Sequence, residues 1–453
     1  MAIDAAYSVM HLGNPTIPST LRGRAWVRND EWVLGEPQYS REHPLEPAKA
    51  FEKAGPREFL AFNPRKVRAA IVTCGGLCPG INNAVRSLYF ELHHGYGVPE
   101  VLGFRYGFEG MAPDSGLQPV HFKPEHVRHI HRLGGSFLGT SRGRHDPAAM
   151  VSTLTRLSID MLFAVGGNGT LQGAHAIHEE LVRRGRHVAV VSLPKTIDDD
   201  IPYVDKTFGF ETAVDMARTA IDAAHTEACG ARNGIGIVKL MGRDAGFIAA
   251  LATLASSEAN FCLLPEFPFA LEGEHGLLTA VQRRIENRGH AVIVVAEGCG
   301  AALYRTHEPR GLVERDASGN LSYASGGLDI GPRLRDALRD HFERARIPVT
   351  IKYIDPSYTI RAAPANGTDA VYCSELGRHA VHAAMAGRSD TVVGRYHGLY
   401  VHVPTALAVS HTRRVDPVLW NAVCEVTGQP PLVPPPELVP ASVVPPAVGT
   451  SEP

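Results

Sequence analysis

Along the chain, short apolar, β-branched runs alternate with longer stretches of helical character. The runs are Arg68 to Thr73 (RAAIVT), Asp160 to Val165 (DMLFAV), His187 to Leu193 (HVAVVSL), Gly234 to Leu240 (GIGIVKL), His290 to Ala296 (HAVIVVA) and Ile347 to Ile354 (IPVTIKYI). The segment Thr391 to Val403 (TVVGRYHGLYVHV) reads as a late hairpin or bent strand. Helices are expected over Phe210 to Cys229, Glu274 to Arg288, Pro332 to Arg346 and Val371 to Ala386, several of them opening on a capping or turn residue and ending near glycine. Strands alternating with helices predict an α/β protein built on a mostly parallel sheet with crossover helices.

The two ends depart from this pattern. Residues 1–65 are rich in Pro, Trp and charge, carry no sustained period, and predict an extension wrapped on the main body, with short helices at most. The body is expected over residues 66–425. The segment 426–453 is expected to be a disordered or polyproline tail, since the last 25 residues hold nine prolines and no Lys or Arg. No repeat of 20–50 residues is visible.

Composition narrows the class. The 453 residues are 44% hydrophobic and 20% charged, ordinary for a globular protein, and the net charge of −2 gives no overall pull toward nucleic acid or an anionic membrane. The N-terminal MAIDAAYSVM lacks the apolar core of a secretory signal, and no run approaches the roughly 18 apolar residues of a membrane span, so a cytoplasmic protein is expected. Seven scattered cysteines do not suggest a disulfide framework. Cys74 and Cys78 form one C-x3-C pair with no second pair, which reads as two small residues lining a tight turn rather than a zinc site.

Chemistry in such folds gathers at the C-terminal ends of the strands. After RAAIVT comes CGGLCPGINN (74–83), where Gly75, Gly76 and Gly80 allow close backbone approach and a helix starts near Asn82, so N–H groups and a helix dipole would face an anion. The spacing is neither GxGxxG nor a Walker A loop. After DMLFAV comes GGNGT (166–170), a second loop of the same kind. After HVAVVSL comes PKTIDDDIPYVDKTFGFET (194–212), with Asp198, Asp199 and Asp200 beside Lys195 and Thr196. A carboxylate there can deprotonate a substrate hydroxyl, and its neighbours can hold magnesium on donor phosphates. MGRDAG (241–246), EGCG with Glu297, and DPSYTIR with Tyr358 and Arg361 close the later strands, with Lys352 just upstream. Together these describe basic groups for a sugar phosphate and acidic groups for a hydroxyl and a metal.

In this order the motifs resemble those of the ATP-dependent 6-phosphofructokinases, in particular the group that includes plant enzymes. The resemblance covers roughly residues 66–405. It rests on GGLCPGINN, GFRYGFEG (103–110), LGTSRG (138–143), GGNGT, PKTIDDD, GIGIVKLMGR, AEGCG and KYIDPSYTIRAAPANGTDAVYC (352–373). It implies a fold of two α/β lobes, each a mostly parallel sheet with helices on both faces, and ATP and Mg²⁺ as cofactors. It also implies fructose 6-phosphate or a related small-molecule acceptor, no nucleic acid or membrane partner, and a homodimer or homotetramer. The donor phosphates map onto Gly76, Arg142, Gly143, Gly167, Asn168, Gly169, Thr170 and Lys195. Gly169 favours ATP, because pyrophosphate users tend to carry an aspartate there; Lys195 also occurs in pyrophosphate users. The general base maps onto Asp198, with Thr196 and Arg243 completing the catalytic set. The acceptor maps onto Thr196, Asp198, Asp200, Met241, Gly242, Arg243, Glu297, Lys352, Tyr358 and Arg361.

Two residues depart from the family pattern. Asn168 stands where the pattern has Asp, and Asp199 where it has Asn. An amide is a poorer magnesium ligand than a carboxylate. The expectation is therefore that Asn168 and Asp199 share the metal, Asp199 replacing the lost carboxylate. Gly234 stands about where bacterial relatives place an arginine. Two other readings stay open on these grounds: a kinase of the same fold acting on another sugar or nucleoside hydroxyl or using pyrophosphate, and an inactive sugar-phosphate-binding homologue. A nicotinamide dehydrogenase would need GxGxxG, which is absent; NAD and lipid kinases share a GGDGT-like loop but not the MGR, AEG and DPSYTIR motifs.

Overall fold

The structure, a computed structural model, describes residues 3–23, 25–143, 146–300 and 329–432. The chain divides into two compact units: one comprises the chain up to Ala213 with Tyr358–Arg413, the other Val214 to Ser357 and the chain from Arg414. Seven strands of the large sheet come first along the chain, β1 (Trp32–Leu34), β2 (Ala50–Lys53), β3 (Arg68–Thr73), β4 (Glu100–Phe104), β5 (Val120–His121), β6 (Met161–Gly166) and β7 (Ala189–Pro194), all in the first unit. The second unit supplies β8 (Gly234–Leu240), β9 (Phe261–Leu263), β10 (His290–Ala296) and β11 (Thr350–Ile354). The hairpin β12 (Thr391–Tyr396) and β13 (Leu399–Pro404) returns to the first unit.

In the first unit the order is β1-β2-β13-β12-β7-β6-β3-β4-β5. The five strands from β12 to β4 are parallel. Every residue of β6 and β7 is buried, as expected of strands covered by helices on both faces. One face packs Ala70, Val72, Leu102, Phe104, Leu162 and Ala164 against Met150, Leu154, Ile177 and Leu181. Each such large side chain contributes about 1.5–3 kcal/mol by leaving water.

Two short strands of the N-terminal segment join the large sheet. Its β2 joins the large sheet antiparallel to β13, with Lys53 opposite Val401 and Glu52 opposite His402, and β1 pairs antiparallel to β2 at the sheet's edge. The reason is the burial pattern of Ala50, Phe51 and Glu52, which offers an apolar and ion-pairing edge that no period over so short a stretch reveals. Glu52 is 2% exposed and accepts from Arg57 Nη2 at 2.8 Å and Arg388 Nε at 3.0 Å, with His11 Nε2 at 3.2 Å. Burial works to raise its pKa, but the hydrogen bond from His11 and the guanidinium of Arg388 hold it well below the usual carboxylate range.

The second unit holds a four-stranded parallel sheet of order β9-β10-β8-β11. Ile235, Ile237, Ile293 and Val295 pack on Leu277, Val281, Leu334 and Phe342 of two flanking helices, Leu277–Arg288 and Ile330–Arg344. The expected run from Ile347 begins as a strand only at Thr350; Pro348, which lacks an N–H, stands outside the ladder. Lys239 of β8 is buried and donates to Asp329 Oδ2 at 2.9 Å, with Asp355 Oδ2 2.8 Å away. Burial opposes its charge, yet these two carboxylates hold its pKa above the usual lysine range. The expected Pro-rich tail lies outside the described residues from 433 onward, and its first two residues close the helix Pro417–Thr427.

Candidate active site

In the first unit the two glycine loops stand on neighbouring strands. Cys74 N donates to Val165 O at 3.0 Å and Gly75 N to Ser141 O at 2.9 Å, so the loop after β3 is tied to both β6 and the Arg142 segment. Gly75 has φ +85°, and a Cβ there would lie 2.9 Å from Lys195 Nζ. A Cβ on Gly76 would lie 3.1 Å from Arg142 Nη2, so glycine lets two cations approach this backbone. Gly80, at φ +99°, caps the helix α1 (Ile81–Phe90). Asn82 then anchors the loop, donating to Leu133 O at 3.0 Å and accepting from Phe137 N at 2.7 Å. Cys74 and Cys78 are buried packing residues, and burial pushes both thiols up to about 12.

The second loop runs from β6 into the helix α2 (Asn168–Arg183), with Gly167 at its N-cap and no side chain among the described residues capping that end. Its first N–H groups and the helix dipole are therefore available to an anion. A Cβ on Gly169 would meet nothing within 4 Å, which leaves open space above the first turn. Thr170 is buried, and its N–H donates to Gly167 O at 2.8 Å.

The carboxylate turn follows β7. Lys195 N donates to Gly166 O at 3.0 Å, and Lys195 Nζ donates to Gly76 O at 2.9 Å, so this residue, by backbone and side chain, links all three loops. Burial, with the charges of Arg142 and Arg361, lowers the Lys195 pKa. Thr196 Oγ1 accepts from Asp198 N at 3.2 Å, while Thr196 O accepts from Thr207 Oγ1 at 2.6 Å. Asp198 and Asp200 are half-buried, and Asp200 Oδ2 accepts from Asn168 Nδ2 at 2.9 Å.

Asp199 corrects the expectation that it shares a metal with Asn168. It has φ +57°, a left-handed backbone that turns its side chain inward, where it is 2% exposed. Oδ1 accepts from Thr207 N at 2.7 Å and Oδ2 from Arg413 Nη1 at 2.9 Å. Both oxygens are thus spent on the protein. Burial pushes the Asp199 carboxyl up to about 7, against the pull of Arg413 and Thr207. Arg413 also donates through its backbone to Asp200 O at 2.8 Å and through Nη1 to Asp205 O at 3.1 Å, so one arginine holds the turn at three points. No motif marks Arg413. Asp369 lies inside a motif, but its type and spacing do not mark its role: it is buried and accepts from Gly209 N, Thr212 N and Thr212 Oγ1 at 2.9, 2.8 and 2.6 Å.

Tyr358 and Arg361 lie one turn apart on the short helix Ser357–Ala362, Tyr358 82% exposed and Arg361 half-buried. In the second unit, Leu240 and Ala296 pair in register, so Met241, Gly242 and Arg243 leave β8 beside Glu297 leaving β10. Gly298 N donates to Gly242 O at 3.0 Å, and a Cβ on Gly298 would overlap Arg243 O. Gly242 needs its φ of +125°. Lys352 is not brought to this tip. It pairs with Gly236, four residues before Leu240, and is exposed on the edge strand β11, two residues before that strand ends at Ile354.

Whether the first unit fits a magnesium nucleotide is tested by what it leaves unsatisfied. Asn168 Oδ1 is buried with no hydrogen-bond partner among the described residues. It lies beside the Asp200 carboxylate, and hard oxygen donors of this kind suit Mg²⁺. Two glycine cradles, a helix N-terminus, two cations and a turn of carboxylates are the parts of a phosphoryl-transfer protein on an α/β sheet.

A family model described as Phosphofructokinase matches residues 68–384. The chain is 46% identical over 387 residues to an ATP-dependent 6-phosphofructokinase of Borreliella burgdorferi, covering 84% of this chain and 85% of that one. It is 41% identical to ATP-dependent 6-phosphofructokinase 1 of Arabidopsis thaliana, covering 92% and 88%. The chain belongs to the phosphofructokinase family. In fold it is similar to a pyrophosphate-dependent phosphofructokinase from Marinobacter aquaeolei, with a TM-score of 0.64 at 19% identity over 83% of this chain and 95% of that one.

Proposed function

We infer that this protein is an ATP-dependent 6-phosphofructokinase, transferring the terminal phosphoryl group of ATP to the 1-hydroxyl of fructose 6-phosphate to give fructose 1,6-bisphosphate. The observation that carries this reading is the turn 196–200. Asp198 stands half-buried on a loop whose neighbours are fixed by Thr207 and Arg413, next to a loop that opens onto a helix N-terminus.

Asp198 takes the proton of the attacking hydroxyl. Thr196 holds the Asp198 backbone, and Asp200 orients the acceptor beside it. The N–H groups around Gly76, Gly143 and Gly167 to Thr170 receive the donor phosphates, with Arg142 and Lys195 balancing their charge. Met241, Gly242, Arg243, Glu297, Tyr358 and Arg361 bind the sugar and its phosphate. Some of these come from a neighbouring subunit, in a homodimer or homotetramer. Mg²⁺ would be held by Asn168 Oδ1 and Asp200; when bound it neutralises charge on the donor phosphates. Gly169, with open space above it, leaves room for the nucleotide and supports ATP over pyrophosphate.

The test is release of ADP by the purified protein with ATP, Mg²⁺ and fructose 6-phosphate, beside pyrophosphate as donor and a panel of other sugars and nucleosides. Turnover with ATP and fructose 6-phosphate is expected. Turnover confined to another acceptor or to pyrophosphate, or binding without turnover, would overturn it.

A further inference from the structure

A cluster outside the phosphoryl-transfer site, within the second unit, has the composition of a transition-metal site. His225 and Cys229 lie four residues apart on the helix α3 (Phe210–Gly230), and so share one face of it. His290 opens β10. The ligand atoms of these three residues all lie within 4.8 Å of one another, the one such group of three among the described residues. A fourth donor stands beside them: Glu258 Oε2 is 3.3 Å from His225 Nε2, which is itself 3.3 Å from Cys229 Sγ. Tetrahedral zinc, with bonds of about 2.0–2.3 Å, spaces its ligand atoms roughly 3.3–3.8 Å apart. Two of the contacts already have that spacing.

The chemistry of the donors agrees with the distances. His290 Nδ1 lies 3.3 Å from Arg288 O, so a proton on Nδ1 would orient the ring and leave Nε2 as the donor. A Cys229 thiolate and the Glu258 carboxylate together would balance a divalent charge.

We propose that His225, Cys229, Glu258 and His290 form a binding site for a borderline divalent cation of the zinc class, tying α3, the segment after the helix Phe247–Ser256 and the start of β10 together. Binding forms one metal–sulfur, two metal–nitrogen and one metal–oxygen bond and releases the Cys229 thiol proton to solvent. Magnesium is too hard a cation for this set.

Cobalt(II) tests the proposal on the full-length protein, prepared without a histidine tag and freed of metal by chelation. One equivalent of Co²⁺ is expected to give a thiolate-to-cobalt charge-transfer band in the near ultraviolet and the intense visible bands of tetrahedral coordination, both displaced by Zn²⁺. Cys229→Ser should abolish the charge-transfer band, and His290→Ala should weaken Co²⁺ binding. Zn²⁺ should also slow alkylation of Cys229, which is exposed, while leaving the half-buried Cys424 unaffected. Cobalt held by the oxygen donors of the phosphoryl-transfer site gives no thiolate band, so it cannot imitate this result. Absence of the band at stoichiometric Co²⁺, or its persistence in Cys229→Ser, would show that these residues form only an ion pair and a hydrogen bond.

Discussion

At the scale of single residues, the turn 196–200 separates chemistry from support. Asp198 is half-buried and belongs to the reaction, so Asp198→Asn should lower kcat by about 10²–10⁴-fold while leaving the melting midpoint in place. Steady-state kinetics beside a thermal melt checks this, and a near-normal rate would remove Asp198 from the role of base. Asp199 and Arg413 belong to the support. Arg413→Met leaves the Asp199 carboxylate buried without its cation, and is expected to cost about 1.5–3 kcal/mol of stability. Asp199→Asn leaves no charge to bury, so the double variant should recover much of the loss. A double-mutant cycle by denaturant unfolding measures this coupling, and additive effects would mean that the ion pair contributes nothing.

At the scale of elements, the strand ends do the work, and this was the legible level. RAAIVT, GIGIVKL and HAVIVVA became strands at the expected bounds, because runs buried at every position, or at all but the first, leave a continuous apolar signature. Glycine loops after them were readable because close backbone approach tolerates no side chain. The direction of a side chain within a turn was not readable: three consecutive aspartates look alike, and only the left-handed backbone at Asp199 turns it inward. Lys352 illustrates the same limit, since its strand was recognised but its register against Gly236 was not. The start of α2 yields a prediction at this scale. Gly169→Asp fits sterically, and an acidic residue suits a helix N-terminus, so the fold should persist. The new carboxylate fills the open space and repels the donor phosphates. The KM for ATP should rise at least tenfold, about 1.4 kcal/mol, with the larger nucleotide losing more than pyrophosphate. An unchanged ATP KM would show that the donor does not pass over this turn.

At the scale of the whole molecule, what the sequence hid is pairing over long distances in the chain. Asp199 meets Arg413, and Glu52 meets Arg388, with no local pattern to announce either. The Glu52 cluster joins the N-terminal β2 to β13 and to the entry of β12, and so ties Trp32–Leu34 and Ala50–Lys53 into the edge of the large sheet. Glu52, Arg388 and His402 are each 2% exposed or less, with Arg57 and His11 as the other charged or titratable neighbours of the carboxylate. Removing the one anion strands two guanidinium groups in the interior. Glu52→Gln is therefore expected to lose about 3–5 kcal/mol at neutral pH, the range for breaking a buried pair. The pH dependence has a definite sign. The folded state depresses the Glu52 pKa below its unfolded value of about 4.3, so the unfolded chain takes up the proton first as pH falls. The contribution is complete above that pH and is lost progressively below it. Denaturant unfolding at a series of pH values should show the gap between wild type and Glu52→Gln at full width above about pH 5.5, narrowing steadily below about pH 4. A gap that stays constant into acid would mean that Glu52 acts by packing and not by charge, and the N-terminal strands would then be held by their apolar face alone.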